Sequence, residues 1–492
     1  MARFGGRRPR LLTPLAVIAN LAAMRVWNQR NQVPDPVVFA DWLGDPEFVS
    51  DLWANEAADP DPITRFRYPK SGGGDRLLTV VSTRDHVRLR VAAAKVITIT
   101  DPLLAKTVYS SRLGKRPPGW LFKTRAYSRF QKAAARDARR WACDGMVRTD
   151  VRDFYLTIPI EALMEMIFSA QVDPAAASFL FTQLMRWSDR DRLPGLPVGP
   201  DAAGVLGTFY LRPVDRMMSA AFERWHRNTD DIAFFFREAR APDAGIPLMQ
   251  EAFGELGLDM ALGKTKIFDN PTDAEEAIRR STLDYLLDGV RTGPPGETAG
   301  VRAYWDERRA NGEFDTVDLS WCLYTLGPEH DPHAVEPVST ERDLFTQHPV
   351  ACADYLIRTA QADGNAAAGV AAMALDETTH PGVRLHALRY LAEVGVDRSV
   401  GLGLLDIARD GTLPIPLRVW AWTAYGMSKA METSDVGDSV DAERDADVCR
   451  AATLAMRRAA GRRGTKYVAR HVLRRFPELR PAAKLAVGEM AA

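Results

Sequence analysis

A proline- and glycine-rich stretch at residues 291–300, RTGPPGETAG, divides the chain into two parts of different character. Before it, segments rich in β-branched residues alternate with segments of helical periodicity, whereas almost everything after it has helical periodicity alone. Such clusters are typical of linkers, and a chain of 492 residues is too long for one hydrophobic core. We therefore predict a helical arm over 1–60, a mixed domain over 61–290 and an α-helical, repeat-like domain over 301–492.

The mixed part predicts strands and helices in a defined order. Runs of aliphatic and β-branched residues indicate strands, and apolar residues at helical spacing after a proline or an acidic residue indicate helices. The predicted strands are Leu77–Ser82, Met146–Phe154 and two short strands within Trp225–Phe236 that flank an acidic turn, and the predicted helices cover Tyr127–Trp141, the segment that Pro159 opens, and Asp201–Arg212.

A weak repeat runs through the last third of the chain. Pro349, Pro381 and Pro416 each stand where an apolar-faced helix would start, at spacings of 32 and 35 residues. Proline is favoured in the first turn of a helix, and a recurrence of this length is typical of stacked helical hairpins in solenoid proteins. An irregular helical bundle would fit three loose copies almost as well.

The cysteines and the apolar runs indicate a cytoplasmic protein without a membrane span. The four cysteines lie far apart without a CxxC spacing, so we expect neither a disulfide framework nor a zinc site. No apolar run reaches the roughly 18 residues that suggest a membrane span. Residues 11–23 loosely resemble a signal peptide, but Pro14 and Asn20 interrupt them, and we predict a basic arm that leads into a packed helix.

Charge is distributed unevenly along a chain that is neutral overall. Residues 1–150 contain 26 Lys and Arg against 14 Asp and Glu, an excess of 12 positive charges that the rest of the chain balances. A strongly basic front part can line a channel for phosphate groups. It can equally be a solvated basic surface, and charge alone does not distinguish the two.

Three aspartates are candidates for a catalytic metal site. Phosphoryl transfer to a nucleotide uses two divalent cations about 3.5–4 Å apart, which carboxylates from different chain segments can hold. Asp150 lies within the predicted strand TDVRDFY, and Asp230 and Asp231 lie at the predicted turn in NTDDIAFFF. A strand and a hairpin turn can bring such carboxylates together, although an Asp-Asp pair taken alone is more often a solvated turn.

Segments around the aspartates suit the binding of a triphosphate. Lys70 and Arg76 flank the glycine loop SGGGD, which could close over phosphates; a hairpin turn with solvated charges is the alternative. Lys264, in LGLDMALGKTKI, could reach a leaving pyrophosphate. The loop LPVGP and the small-residue helix after it suit the floor under a base pair, and also a plain loop before a buried helix.

Taken in order, these segments resemble the motifs of reverse transcriptases over roughly residues 65–270. YPKSGGGDR is similar to the fingers loop, DVRDFYLTI to the first catalytic strand, LPVGP to the template-grip loop, TDD to the second catalytic turn and LGLDMALGKTKI to the segment after it. LPVGP, the FY after the first Asp, YSSR at 109–112 and the helical last third resemble bacterial abortive-infection and defence-associated members. The resemblance implies an α+β fold, with a right-hand polymerase fingers–palm domain over 61–290 followed by an all-α, HEAT-like helical-repeat domain.

The resemblance also implies a function and a set of site residues. The implied protein is an RNA-directed DNA polymerase in anti-phage defence that uses Mg²⁺ or Mn²⁺ and binds RNA or DNA and dNTPs; self-primed or untemplated synthesis and a homo-oligomer are both compatible with it. Tyr155 stands where the family keeps an aromatic residue that excludes a 2′-hydroxyl, and its alternative is a buried aromatic on a strand. The implied metal ligands are Asp150, Asp230, Asp231 and the carbonyl of Val151, and the implied substrate contacts are Lys70, Arg76, Tyr155, Gly199 and Lys264.

Two departures from the family pattern concern primer and template rather than metal ligands. Asn228 stands where the family has an aromatic residue near the primer end, and Val198 stands where many replicative members have Gln. Asn228 in place of the aromatic residue predicts that primer handling differs from that of the family. Two other interpretations stay open: an RNA-templated RNA polymerase, against which Tyr155 argues, and a scaffold that binds nucleic acid without turnover, against which Asp150 and Asp230 argue.

Overall fold

The chain folds into two compact units, each of which combines separate stretches of sequence. The computed structural model describes residues 13–28, 31–36, 40–54, 59–70, 73–114, 123–140, 144–237, 241–278, 298–312, 315–361, 363–456 and 462–487. The first unit consists of Met1–Ala23, Leu52–Ile63 and Val81–Ser281, and the second of Met24–Asp51, Thr64–Val80 and Thr282–Ala492. The predicted division into three consecutive segments stays a prediction, and residues 1–12 of the basic arm and 291–297 of the linker lie outside the described residues.

The described elements alternate between strand and helix up to residue 278 and are helical from residue 299 onward. The earlier ones are α1 (Pro14–Asn28), α2 (Ala40–Leu43), α3 (Pro46–Ala54), β1 (Thr64–Pro69), β2 (Asp75–Val80), α4 (Thr83–Thr100), α5 (Lys123–Arg140), β3 (Gly145–Thr149), α6 (Phe154–Thr157), α7 (Ile160–Ser169), α8 (Pro174–Asp191), α9 (Asp201–Tyr210), α10 (Arg212–Ala221), β4 (Arg224–Asn228), β5 (Asp231–Phe236), α11 (Ala241–Gly254), β6 (Lys266–Phe268) and α12 (Pro271–Ile278). The later ones are α13 (Ala299–Ala310), α14 (Thr316–Leu326), α15 (Val335–Thr340), α16 (Arg342–Gln347), α17 (Pro349–Thr359), α18 (Gly364–Leu375), α19 (Pro381–Val394), α20 (Arg398–Arg409), α21 (Ile415–Tyr425), α22 (Thr433–Ala442), α23 (Ala446–Ala455), α24 (Arg462–Arg475) and α25 (Arg480–Ala486).

The first unit contains a four-stranded antiparallel sheet in the order β4-β5-β3-β6. β4 and β5 form a hairpin, as predicted, and β5 also pairs with β3. Helices α5 and α12 pack against this sheet, where Phe130, Met146 and Phe235 share a buried core. The sheet thus carries both acidic segments that the sequence singled out.

The predicted strand Met146–Phe154 ends earlier than expected, at Thr149. After it, Val151 makes a single bridge to Met260, Asp153 has a positive φ of 44°, and α6 begins at Phe154. Val151 and Phe154 are both buried, so the apolar pattern continues through a turn and into a helix. In the sequence, apolar residues at every second or third position therefore resembled a longer strand.

The β1–β2 hairpin belongs to the second unit, where it packs against α19. The buried Tyr68 ring meets His386 edge-on, with 5.9 Å between ring centroids. Gly382 lies against the hairpin so closely that a Cβ added there would come within 2.6 Å of Pro69 Cδ. His380 Nε2 lies 2.9 Å from a carboxylate oxygen of Asp75. The hairpin is therefore packed as part of the helical unit.

Part of the predicted N-terminal arm also packs within the second unit. The buried Arg450 of α23 binds the carboxylates of both Asp35 and Asp41. Trp420 Nε1 donates a hydrogen bond of 3.0 Å to the carbonyl of Pro34. Two carboxylates around one buried guanidinium satisfy its charge and several of its donors.

The later helices of the second unit pack in succession. α17, α19, α21 and α23 each pack against the next, while α18 packs against α19 and α20 against α21. Pro349 and Pro381 are the first residues of α17 and α19, and Pro416 is the second residue of α21. The predicted helix starts are confirmed because proline occupies the first turn, where its missing N–H costs nothing. The assignment to HEAT-like repeats stays a prediction.

The described residues are mostly helical with two small antiparallel sheets, in agreement with the predicted α+β class. The finer assignment to fingers and palm stays a prediction. None of the described helices is both long and apolar enough to cross a membrane. Cys322, Cys352 and Cys449 are buried free thiols, and Cys143 lies outside the described residues.

Candidate active site

The end of β3 and the β4–β5 turn are neighbours in the sheet. β3 and β5 pair in one register up to Thr149 and Ile232, so Asp150 and Asp231 are the next residues on the two strands. Asn228 pairs with Asp231, which leaves a turn of two residues that includes Asp230. The antiparallel ladder thus brings the acidic segments together from distant parts of the sequence.

Backbone hydrogen bonds fix the chain just after β3. The carbonyl of Asp150 accepts from Ala261 N, and Arg152 N donates to the carbonyl of Asp259, both at 2.8 Å. Val151 bridges Met260 between these two bonds and is buried. Its own carbonyl takes no part in this bridge, because the flanking residues make the hydrogen bonds.

Asp231 is bound by Arg148 of β3. Nε and Nη2 of Arg148 donate to the two carboxylate oxygens at 2.9 and 2.6 Å, and Nη2 also lies 3.3 Å from the hydroxyl of Tyr127. Burial by itself lowers the pKa of Arg148, but the hydrogen bonds and the charge of Asp231 outweigh it and raise the pKa above its usual value. This two-point pair fixes the direction of the Asp231 carboxylate.

Asp150 is bound by Lys264. The Lys264 ammonium contacts Asp150 Oδ2 from the end of the 3₁₀ turn Leu262–Lys264. The Lys264 side chain is 68% exposed, whereas that of Asp150 is 22% exposed. The lysine can therefore move away into solvent, while the carboxylate remains in place. The sequence predicted Lys264 near a leaving pyrophosphate, and the structure brings it to Asp150.

The donor atoms beyond β3 suit a hard divalent cation. Mg²⁺ and Mn²⁺ take carboxylate and carbonyl oxygens, and Asp150 Oδ1 is a buried acceptor without a hydrogen-bond partner in the described part of the chain. Both oxygens of Asp231, in contrast, accept from Arg148. Among the residues that the structure describes, no three His, Cys, Asp or Glu side chains converge as a metal site. The metal-ligand assignments therefore stay predictions.

Tyr155 lies at the start of α6 rather than on a strand, and it is half-buried. A Cβ added to Gly204 of α9 would lie 3.7 Å from its hydroxyl, and one added to Gly207 would lie 3.4 Å from its ring. The small residues of α9 thus leave room for the tyrosine. Its carbonyl accepts from Leu196 N at 2.7 Å, which ties α6 to the loop before α9.

The remaining predicted contacts lie in two places. Gly199 is exposed with a φ of +132°, a conformation that favours glycine, in the loop that leads into α9 of the first unit. Lys70 and Arg76 are exposed at the tip of the β1–β2 hairpin, where Lys70 N donates to the Gly74 carbonyl at 2.9 Å. These two basic residues belong to the second unit, whereas the aspartates and Lys264 belong to the first.

Several residues near the aspartates were not singled out from the sequence. Arg148 stands two positions before Asp150, and the two-residue period of a strand could have indicated that they share a face. Arg227 and Asp215 form a buried pair with 2.7 and 2.6 Å contacts; no local pattern marks them. Asn228, two residues before the paired aspartates, is buried, and its Oδ1 has no hydrogen-bond partner among the described residues.

Comparisons with known proteins give structural likenesses but no match to a family model or a curated protein. Among solved structures, it is similar to a telomerase from Candida albicans in complex with the TWJ fragment of telomeric RNA, with 8% identity over 65% of this chain and 69% of that chain and a TM-score of 0.30. A TM-score this low does not establish a shared fold, so we base the functional proposal on the chain's own residues.

Proposed function

We propose that the chain is a reverse transcriptase-like nucleotidyltransferase, an RNA-directed DNA polymerase whose metal ligands are Asp150, Asp230 and the carbonyl of Val151. The observation that carries this proposal is the pairing of β3 with β5, which sets the two acidic segments side by side. Two-metal chemistry needs carboxylates from separate segments on rigid elements. The buried Oδ1 of Asp150, which has no hydrogen-bond partner among the described residues, adds support, since a hard cation would satisfy it.

Each basic residue of the site has a role in the proposal. A bound Mg²⁺ or Mn²⁺ supplies charge stabilisation at the attacking and leaving oxygens. Lys264 neutralises Asp150 before substrate binds, and its exposed side chain can then turn to the departing pyrophosphate. Arg148 holds Asp231, so Asp231 supports the turn through this pair. For Lys70 and Arg76, the role of triphosphate contacts rests on the resemblance of YPKSGGGDR to the fingers loop alone.

Tyr155 selects the sugar in this proposal. Its position as the second residue of α6, five residues after Asp150, suits contact with a nucleotide whose phosphates lie at the aspartates. A half-buried ring can exclude a 2′-hydroxyl by contact, because an added oxygen has no room. The nucleic-acid partner, RNA or DNA, is expected on basic surface from the front part of the chain.

The decisive experiment is nucleotide incorporation by the purified full-length chain. Labelled dNTPs and NTPs are offered separately with Mg²⁺ or Mn²⁺ and RNA or DNA templates, with and without a primer. We expect dNTP incorporation only, and product bound covalently to protein would reveal self-priming. Incorporation of NTPs alone would support an RNA-templated RNA polymerase instead. The defence role is tested by phage challenge of bacteria that carry the intact chain or Asp150→Asn.

A second candidate is a polymerase-fold scaffold that binds nucleic acid without turnover. Asp150 and Asp231 are each neutralised by a basic side chain, and Asn228 replaces the family's aromatic residue. This candidate predicts nucleic-acid binding with no incorporation of either nucleotide under any of the conditions above. It also predicts that Asp150→Asn retains phage protection, whereas the polymerase proposal predicts its loss.

A further inference from the structure

The two-residue turn that carries Asp230 has an unusual first residue. Thr229 has a φ of +61°. Hairpin loops of two residues with positive φ at the first position normally have Gly, Asn or Asp there. A β-branched residue in this region is a genuine outlier, since its Cβ crowds the backbone. The surrounding structure must therefore hold Thr229 in place.

The backbone of Thr229 is held on both sides. Its N–H donates to Ser110 Oγ at 2.7 Å, and its carbonyl accepts from Arg227 Nη1 at 2.7 Å. Because the Ser110 hydroxyl accepts from Thr229, its own hydrogen is available to Thr208 Oγ1, which lies 3.2 Å away. The backbone N–H and carbonyl of Thr229 are thus both bound by buried side chains.

These side chains are fixed in turn. Arg227 donates to both oxygens of Asp215 at 2.7 and 2.6 Å and to the carbonyl of Thr208 at 3.2 Å. Arg227 N donates to the Thr107 carbonyl at 2.9 Å, and Tyr109 N donates to the Arg227 carbonyl at 3.0 Å. The segment before Ser110 therefore runs beside β4 and sets the serine at the turn.

We propose that Ser110, Arg227 and Asp215 are positioning residues that hold Thr229 in its left-handed conformation and thereby direct the carboxylate of Asp230. The inference rests on the proposed function, in which Asp230 is a metal ligand. A change of φ at one residue redirects the side chain of the next, and small displacements of a catalytic group cost about 10²-fold in rate. A buried ion pair is weak evidence for stability, so positioning gives Arg227 and Asp215 a specific use.

Ser110 is the best residue for a test, because removal of either partner of the buried Arg227–Asp215 pair would leave an unpaired charge and destabilise the fold. Glycine accepts positive φ without support. The test therefore compares Ser110→Ala in the wild-type chain with Ser110→Ala in the Thr229→Gly background. Thr182→Ala, which removes an exposed hydroxyl of α8 that donates to the Ser178 carbonyl, is the matched control.

Three quantities are measured on the full-length chain: kcat and KM for nucleotide incorporation, and the Kd for Mn²⁺ by electron paramagnetic resonance. With Thr229 present, we expect Ser110→Ala to lower kcat at least tenfold, to change KM less than twofold and to weaken Mn²⁺ binding at least fivefold. In the Thr229→Gly background, Ser110→Ala should change kcat and the Mn²⁺ Kd less than threefold. Thr182→Ala should change neither kcat nor the Mn²⁺ Kd.

The outcomes separate this inference from the proposed function. An equal effect of Ser110→Ala in both backgrounds would show a general structural role and overturn the inference, and so would an unchanged Mn²⁺ Kd and kcat. If Ser110→Ala fails to fold, folding restored by Thr229→Gly supports the inference, and failure of the double variant overturns it. A chain that binds Mn²⁺ but incorporates no nucleotide overturns the proposed function alone, since the Mn²⁺ series still decides the positioning. A wild-type chain that binds no Mn²⁺ overturns both.

Discussion

Arg148 lies opposite Ala233 in the β3–β5 ladder, yet its guanidinium reaches diagonally to Asp231, with Nε and Nη2 2.9 and 2.6 Å from the two carboxylate oxygens. Diagonal contacts of this kind are within reach of long side chains on one face of a sheet. The pair has a direct consequence for the neighbouring aspartates. Both carboxylate oxygens of Asp231 accept from Arg148, while Asp150 is bound by Lys264, whose side chain is 68% exposed.

The Arg148–Asp231 pair should be measurable as a coupling energy. Arg148→Ala, Asp231→Ala and the double variant form a cycle, and urea unfolding in the presence of a chelator gives the free energies. The two side chains are 30% and 23% exposed, so we expect about 1–2 kcal/mol of coupling. Arg148→Lys should lose part of it, because an ammonium cannot bind both oxygens in parallel. Coupling below about 0.3 kcal/mol would contradict the assigned contact.

Asp150→Ala and Asp230→Ala should each abolish incorporation while the chain still folds. Loss of a ligand removes the charge stabilisation at the reacting oxygens, and we expect kcat to fall by about 10³-fold or more. Asp269→Asn, an exposed carboxylate just after β6, is the matched control and should retain wild-type incorporation. Near wild-type kcat in either alanine variant would remove that residue from the site.

Tyr155→Val should increase the use of ribonucleotides. The ring lies against the small residues Gly204 and Gly207, so a smaller side chain leaves open space rather than a collapsed core. We expect the ratio of kcat/KM for dNTP over NTP to fall by about 10–100-fold, which corresponds to about 1.4–2.7 kcal/mol of discrimination. An unchanged ratio with normal kcat/KM for dNTP would assign Tyr155 to packing alone.

A chain without residues 301–492 should lose nucleotide incorporation. A chain that ends at Gly300 lacks α19 and therefore exposes Tyr68, which is 4% exposed in the structure. We expect it to lose incorporation, because the β1–β2 hairpin loses its packing partner and the remaining chain is destabilised. Incorporation equal to that of the full chain would mean that residues 301–492 are a separate sensor or effector module.

His86 should make the stability of the first unit depend on pH. Burial first, and the charge of Arg90 second, lower the pKa of His86 from 6.5 to about 3. Asp201 lies 3.6 Å from His86, but Arg90 binds Asp201, so the histidine stays neutral. The unfolded chain takes up a proton as pH falls through 6.5 and the folded chain does not, so stability is lost from pH 6.5 downward.

The corresponding variant is His86→Leu. The slope of its unfolding free energy between pH 6 and 4 should be smaller than that of the wild type by up to about 1.4 kcal/mol per pH unit. Urea unfolding at a series of pH values gives both slopes. Identical slopes would show that His86 is protonated in the folded chain or exposed to solvent.

Local chemistry determined what could be predicted from the sequence. The β4–β5 hairpin was predicted as two short strands around an acidic turn, and the starts of α17 and α19 were predicted from Pro349 and Pro381. These features depend on residues within one or two turns of each other, so periodicity and turn residues are sufficient. The candidate aspartates were found in the same way, because each lies beside such an element.

Only the tertiary structure decided which side chains surround those aspartates and which unit each segment joins. Arg148 and Asp231 are 83 residues apart in sequence, and Ser110 and Thr229 are 119 apart. His380 and Asp75, whose contact assigns the hairpin to the helical unit, are 305 apart. No periodicity links residues at such separations, because their contacts arise from packing of whole elements. The end of β3 at Thr149 has the same cause. β3 stops where its pairing with β5 stops, and the local pattern of apolar residues does not determine that point.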